Sequence, residues 1–269
     1  MTEVVRHESG VVSRPVTIGR AIRSEWIKFR SLRSTWAMLG GAVAGMIVIG
    51  LIVAYNTRHL SRGLQLDDVV ASSTLQGYYL GQLLIGSLGV LFVSGEYSTG
   101  SIRSTLAAVP KRLPVLWAKL VVFVTVITAV MVPASLVAFV SAQALISRSR
   151  VGFSLTDPGV ARVVVGTGVY LTLLGMLGAA IGWCVRSTPG AIVTYVAVIL
   201  VIPGIFEGLL GTWGRHVAQY LPSRAGASFS TSLAPSLPNL TPRIGLLVMC
   251  IWVCTGITLA AILLRRRDA

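Results

Sequence analysis

Six long stretches of this chain contain no Asp, Glu, Lys or Arg, and they constrain the fold more than any other feature. These stretches are 34–57, 69–95, 120–147, 163–185, 187–206 and 244–264. Each can supply the roughly 20 apolar residues that an α-helix needs to cross a hydrocarbon core about 30 Å thick. Lipid cannot hydrogen-bond to the backbone, and the alternating segments of a membrane barrel do not occur, so helices are predicted. We therefore predict an all-α integral membrane protein with six transmembrane helices, at about 35–55, 73–94, 117–142, 163–184, 188–206 and 244–264.

The balance of charge favours a membrane protein over a nucleic-acid-binding protein. Only 12% of the 269 residues are charged, against about 25% in an ordinary soluble domain. The net charge of +14 could indicate a nucleic-acid partner, but the cations lie between apolar runs rather than along one face. We therefore expect a lipid bilayer around the chain and no nucleic acid bound to it.

The distribution of cations predicts that both termini are cytoplasmic. In that orientation fifteen Lys and Arg residues fall on the inner side and eight on the outer side. Positive residues are enriched in the cytoplasmic loops of membrane proteins. We therefore predict a multi-pass protein of the plasma membrane, with the loop between the second and third helices in the cytoplasm.

The residues before the first span divide into a tail and a helix. Residues 1–16 have mixed charge and little to bury, which predicts a disordered tail. Over 17–33, apolar residues recur at a helical period among five cations, which is typical of an amphipathic helix in the membrane interface. Trp26 and Phe29 are its predicted anchors, and a simple basic flank is the alternative. Residues 17–269 are then a single transmembrane domain.

The segment 206–242 is the longest predicted outer region. Its first half keeps a helical period, and Trp213 and Tyr220 are residue types that favour the membrane–water interface. We expect one or two short helices there, resting at the outer leaflet or dipping into it. Within the spans, Pro133 and Pro203 predict kinks.

Glycines spaced four residues apart also occur within the predicted spans. Gly178 and Gly182 are one such pair in the fourth span. Small residues at this spacing let helix backbones approach closely. They are compatible either with a dimer face or with packing inside one chain.

Motifs for catalysis are missing. The chain has no G-x-x-x-x-G-K-[ST] phosphate loop, no H-E-x-x-H and no G-x-S-x-G. The three His are far apart, and Cys250 and Cys254 are read as packing residues rather than a metal pair. None of the nine acids falls in the middle of a predicted span, which disfavours an ion-driven carrier. We therefore expect no enzyme activity, no metal and no cofactor bound by this chain, and any transport would draw its energy from a partner.

Three stretches and the helix layout carry a family resemblance. The stretches are "SEWIKFRSLRSTWAML" at 24–39, "GEYSTGSIRSTLAAVPKRLPVLWAKL" at 95–120 and "YLPSRAGASF" at 220–229. With the six-helix order they resemble the permeases of type-2 exporters of the ATP-binding cassette (ABC) class, in particular the short actinobacterial kind. The second stretch is the most specific of the three.

The resemblance implies an efflux transporter built from several chains. Two permeases, as a homodimer or with a sister subunit, would form the path and bind two ABC ATPase subunits that hold ATP and Mg. The helix at 17–33 would be the connecting helix, and 95–112 would be the coupling helix that docks on the ATPase. The turn at 186–189 would make a second contact, and the helices within 206–242 would be re-entrant and narrow the exit.

The residues of the coupling segment agree with that role. Ser98 or Thr99 can cap the start of a short helix, and Pro110 limits its end. Glu96 lies just before that start, where the positive end of the helix dipole favours an anion. The predicted ATPase-coupling residues are Glu96, Tyr97, Thr99, Gly100 and Arg103. The alternative for this segment is an ordinary interfacial loop. The alternative for the whole protein is a membrane immunity or sensor subunit that binds a ligand without pumping it.

Overall fold

The computed structural model describes residues 17–57, 75–101, 112–146, 154–230 and 240–266. About 90% of this part of the chain is helical, and it contains no strand. The predicted all-α class is therefore confirmed. The tail predicted at 1–16 lies outside the described residues.

The helices are labelled here in chain order. They are α1 Ile18–Ser31, α2 Arg33–Thr57, α3 Tyr78–Ser98, α4 Arg112–Ile146, α5 Val160–Val185, α6 Thr188–Val196, α7 Ile202–Leu209, α8 Gly211–Ala218, α9 Pro222–Ser230 and α10 Pro242–Arg266. A π-helical segment, Ala197–Val201, joins α6 to α7 without a break. Leu32 has extended backbone and separates α1 from α2.

In the part of the chain that the structure describes, six helical spans are long and apolar enough to cross a membrane, which is the predicted number. They are α2, α3, α4, α5, the continuous unit of α6, the π segment and α7, and α10. Each span differs from its predicted bounds by a few residues, and α3 and α4 differ most. α3 continues to Ser98, beyond the predicted end at residue 94. α4 runs from Arg112 to Ile146, beyond both ends of the predicted 117–142.

The two prolines within the spans have different surroundings. α4 is assigned as one helix through Pro133. Pro203, by contrast, lies at the first turn of α7, directly after the π segment. Proline has no N–H to donate to the preceding turn, so a local change of helix type at this point is physically reasonable.

α5 is the central helix of the bundle, and α3, α4, α9 and α10 pack around it. Its contact with α3 is made by backbone rather than by long side chains. A Cβ at Gly89 would overlap the carbonyl oxygen of Gly175, and a Cβ at Gly178 would overlap that of Gly86. Gly178 therefore serves packing inside this chain, which is one of the two roles that its spacing allowed.

The short helix α9 is inserted between α5 and α10. The Thr167 hydroxyl of α5 donates a hydrogen bond to the Ser230 carbonyl oxygen, at 2.8 Å. Gly226 lies against the Tyr170 ring, where a Cβ would not fit. The aromatic rings of Tyr170 and Phe229 meet edge to face at 6.3 Å. α9 is thus part of the bundle core.

Candidate functional site

The predicted coupling residues lie at the end of α3. Glu96 and Tyr97 are in its last turn, Thr99 is the residue after that turn, and Gly100 has a φ of 70°. A left-handed glycine directly after a helix is a common helix stop. The Thr99 hydroxyl donates to the Gly95 carbonyl oxygen at 2.9 Å. Arg103 lies outside the described residues.

The Ser98 and Thr99 hydroxyls both donate backward to the Gly95 carbonyl oxygen, so they close the end of α3. Ser101 is helical and the residues after it lie outside the described range, so the cap predicted for Ser98 or Thr99 stays a prediction. Glu96 lies at the C-terminus of α3, where the helix dipole disfavours an anion. Its negative charge is compensated by cations from other helices.

Four charged side chains from three helices meet at this end of the bundle. Lys28 Nζ of α1 lies 2.8 Å from Glu25 Oε1 and 2.8 Å from Glu96 Oε1. Lys119 Nζ of α4 lies 2.6 Å from Glu25 Oε2 and 3.0 Å from Glu96 Oε1. We call Glu25, Lys28, Glu96 and Lys119 the junction cluster. It joins α1, the end of α3 and the first third of α4 in one charge-balanced network.

The junction cluster is largely removed from solvent. Glu25 and Lys119 are each 2% exposed. Lys119 also donates to the Phe92 carbonyl oxygen at 3.3 Å, and its ammonium lies 4.2 Å from the centre of the Phe92 ring. A buried ion pair requires this kind of additional hydrogen bonding, because both charges have lost their water. Removing the charge of one partner would leave the other charge uncompensated inside the bundle.

Lys28 is the more accessible cation of the junction cluster. Partial burial would lower the pKa of Lys28, but its bonds to Glu25 and Glu96 outweigh that effect and raise the pKa. Lys28 therefore stays protonated at all physiological pH values.

A cavity of about 430 Å³ lies beside the junction cluster. Lys28, Glu96 and Lys119 line one side of it. Apolar side chains of α3, among them Leu88 and Leu91, line another, and hydroxyls of α1, α2 and the end of α3 complete the wall. The predicted coupling residues Glu96 and Thr99 thus border an open space.

The turn between α5 and α6 lies against the same end of α3. Arg186 in this turn has a φ of 59°, and its guanidinium lies 5.3 Å from the centre of the Tyr97 ring. It also donates to the Leu263 carbonyl oxygen of α10 at 3.4 Å. The hydroxyls of Ser94 and Thr188 are hydrogen-bonded at 2.9 Å. The two segments expected to contact the ATPase are therefore neighbours.

Trp26 and Phe29, the predicted anchors of the first helix, lie on different faces of α1. Phe29 is fully buried and packs edge to face on Phe92, with 5.2 Å between ring centres. It fixes α1 to the bundle, since it contacts protein rather than lipid. Trp26 is 41% exposed, and its role as a lipid anchor stays a prediction.

Three of the four cluster residues were not among the sequence-predicted site residues. Glu25 and Lys28 are three apart on one helix, which is a recognisable pair in sequence. Lys119 gave a weaker signal, a lone cation at the edge of an apolar run. Only the fold shows that these residues meet Glu96, which is 68 positions from Lys28 and 23 from Lys119.

Among the described residues there is no group of three or more His, Cys, Asp or Glu side chains that could hold a metal. Cys184, Cys250 and Cys254 are free thiols. The junction cluster itself holds two acids, each already paired with lysines. Its chemistry is that of a structural charge network at a helix junction.

Comparison with known proteins gives no family. No protein-family model matches the chain, and no curated protein matches it.

Proposed function

We propose that this chain is the transmembrane subunit of an ATP-driven ABC exporter, coupled to separate ATPase subunits through the segment 95–112. The observation that carries the proposal is the junction cluster. It connects the ends of α3 and α4, which flank the proposed coupling segment, to the amphipathic helix α1. A push on that segment would therefore move three helices together.

The arrangement supports transmission by rigid-body tilt. Packed helices move as units, because a dense core does not deform continuously. α3 is in backbone contact with the central helix α5 at Gly89 and Gly175. A displacement applied at the end of α3 would consequently reach the centre of the bundle. The turn at Arg186, in contact with Tyr97, offers a second point of input.

The proposed topology places the junction cluster at the cytoplasmic side of the plasma membrane. The excess of cations at that end supports this orientation. α9 would then be a re-entrant helix on the outer side. Its Ser230 carbonyl accepts from Thr167, seven residues into α5, which corresponds to about 10 Å along the helix axis.

The test is co-purification with a separately encoded ATPase subunit, followed by measurement of ATPase stimulation in nanodiscs. We expect Glu96→Ala and Arg103→Glu to reduce stimulated ATPase activity about tenfold or more, because they alter the proposed docking segment. Asp157→Ala is the matched control. It also removes a carboxylate, but near the start of α5, at the opposite end of that helix from Arg186.

Normal assembly and full stimulation in both variants would contradict the coupling assignment. If no ATPase subunit associates with the wild-type chain, the exporter proposal itself fails. The alternative, a membrane immunity or sensor subunit that binds a ligand without pumping it, would then account for the chain. The second permease, whether an identical copy or a sister subunit, would be identified in the same purification.

A further inference from the structure

A second cavity lies between α3, α7 and α9, away from the junction cluster. Its volume is about 150 Å³. The start of α3, the π segment, α7 and α9 all contribute to its wall. The residues that matter for its chemistry are Tyr78, Tyr79, Gln82, Pro203, Glu207 and Arg224.

Gln82 is the most informative residue of this cavity. It is 2% exposed. Its side-chain oxygen accepts a hydrogen bond from the Tyr170 hydroxyl at 2.9 Å, and its backbone oxygen accepts from the Tyr195 hydroxyl at 2.7 Å. Within the part of the chain that the structure describes, its amide nitrogen has no hydrogen-bond partner. Because Gln82 lines the cavity, this amide can donate to a group bound there.

Two further charged residues of the cavity wall are paired with each other. Arg224 of α9 makes a bidentate ion pair with Glu207 of α7, in which Nε and one terminal nitrogen each donate to one carboxylate oxygen. The remaining N–H groups of a guanidinium stay available when two are used. The Ser223 and Tyr79 hydroxyls can each donate or accept. Each Glu207 oxygen already accepts one bond from Arg224, so the Gln82 amide and the remaining guanidinium N–H groups are the donors that a bound acceptor can use.

The rest of the wall is apolar and aromatic. The Tyr78 and Tyr79 rings lie with their centres 4.2 Å apart. Ile199 and Leu200, which also line the cavity, belong to the π segment. π-helical turns within α-helices are frequent at functional sites. An apolar wall with a few convergent donors is the usual composition of a ligand site.

We propose that this cavity binds the carbonyl end, amide or ester, of an elongated apolar ligand. The carbonyl oxygen accepts from the Gln82 amide, and the apolar part leaves past Tyr79, which is 53% exposed. A volume of 150 Å³ equals about five water molecules. It therefore holds the polar end of a ligand and not the whole molecule. That this ligand is the exported substrate rests on the proposed function.

The test is equilibrium binding of two chain-matched probes, dodecanamide and dodecylamine, to the full chain in nanodiscs. Wild-type protein should prefer dodecanamide. Gln82→Glu keeps an oxygen for Tyr170 but replaces the amide donors with acceptor oxygens. It should weaken dodecanamide binding about tenfold and strengthen dodecylamine binding, so that the preference reverses.

A second variant and a control make the result independent of folding effects at Gln82. Gly204 lines the cavity, and a Cβ there would meet no atom within 4 Å, so Gly204→Leu should fill the space and weaken dodecanamide binding. Gln143→Glu makes the same chemical change at a buried residue of α4 outside the cavity, and should bind as wild type does.

An unchanged probe preference in Gln82→Glu, or unchanged dodecanamide binding in Gly204→Leu, would overturn the site, as would an equal change in Gln143→Glu. No ATPase subunit is present in this assay. The binding site can therefore fail while the exporter function holds, and the exporter function can fail while the site binds its probe.

Discussion

Glu25 and Lys119 show how a charge can be accommodated at the end of an apolar bundle. Both are about 98% buried, and their side chains are 2.6 Å apart. Each charge has a second partner in the junction cluster, Lys28 for Glu25 and Glu96 for Lys119. Removing one member of such a network destabilises the protein, because the charge left behind has neither water nor a counter-ion.

Lys119→Met should therefore lower the free energy of unfolding by about 3–5 kcal/mol. The double variant Glu25→Gln, Lys119→Met removes one charge of each sign, and should recover part of that loss. Thermal unfolding of the purified protein in nanodiscs measures both. Arg23→Met, at an exposed position of α1, is the control and should change stability by less than about 0.5 kcal/mol. A wild-type melting temperature for Lys119→Met would show that the network carries no stability.

At the scale of the element, α3 and α5 are held together by close backbone approach. Gly86 and Gly89 on α3 face Gly175 and Gly178 on α5. Small residues at a helix contact permit this approach. Close van der Waals packing then drives the association of the two helices, because the hydrophobic effect does not act between helices in lipid. A side chain at Gly89 or Gly178 would overlap the facing backbone and force the two helices apart.

Gly89→Ala and Gly178→Ala should each destabilise the protein by about 1–3 kcal/mol, since the new methyl group would overlap a backbone carbonyl. Gly40→Ala in α2 is the matched control. A Cβ at Gly40 would meet nothing within 4 Å, so the substitution should be neutral or stabilising by up to about 1 kcal/mol. Unfolding in a denaturing detergent, followed by circular dichroism, compares the three. Equal stability of all three variants would contradict the close α3–α5 contact.

The number and order of the spans could be predicted from charge-free stretches, but their ends could not. A charge-free stretch ends at the next charged residue, which is Glu96 in the case of α3. The helix continues to Ser98 because Lys28 and Lys119 neutralise that carboxylate from other helices. Contacts between residues so distant in sequence have no local signature. The same reason explains why sequence assigned Phe29 to lipid, whereas the fold buries it against Phe92.

For the whole molecule, the two candidate sites lie toward opposite ends of the central helix α5. Arg186, near the junction cluster, follows the C-terminus of α5, and Thr167, bonded to α9, lies near its N-terminus. α5 has 26 residues, which corresponds to about 39 Å. That length exceeds a hydrocarbon core of about 30 Å. The two ends of the bundle can therefore face different compartments.

The predicted orientation can be tested with single cysteines in a chain whose Cys184, Cys250 and Cys254 are replaced by Ala. Thr156→Cys, at an exposed position before α5, should react with a membrane-impermeant maleimide in intact cells. Thr99→Cys, exposed at the end of α3, should react only after the cells are permeabilised. The reverse pattern would place the termini outside and remove the proposed coupling segment from the cytoplasm.

The position of α9 has a consequence for biosynthesis. α9 packs on α5, which is made before it, and on α10, which is made after it. Gly245 of α10 lies directly against Ser228, where a Cβ would not fit. During synthesis α9 thus has only one of its two supports until α10 has been made. Insertion of α10 would then close this part of the core.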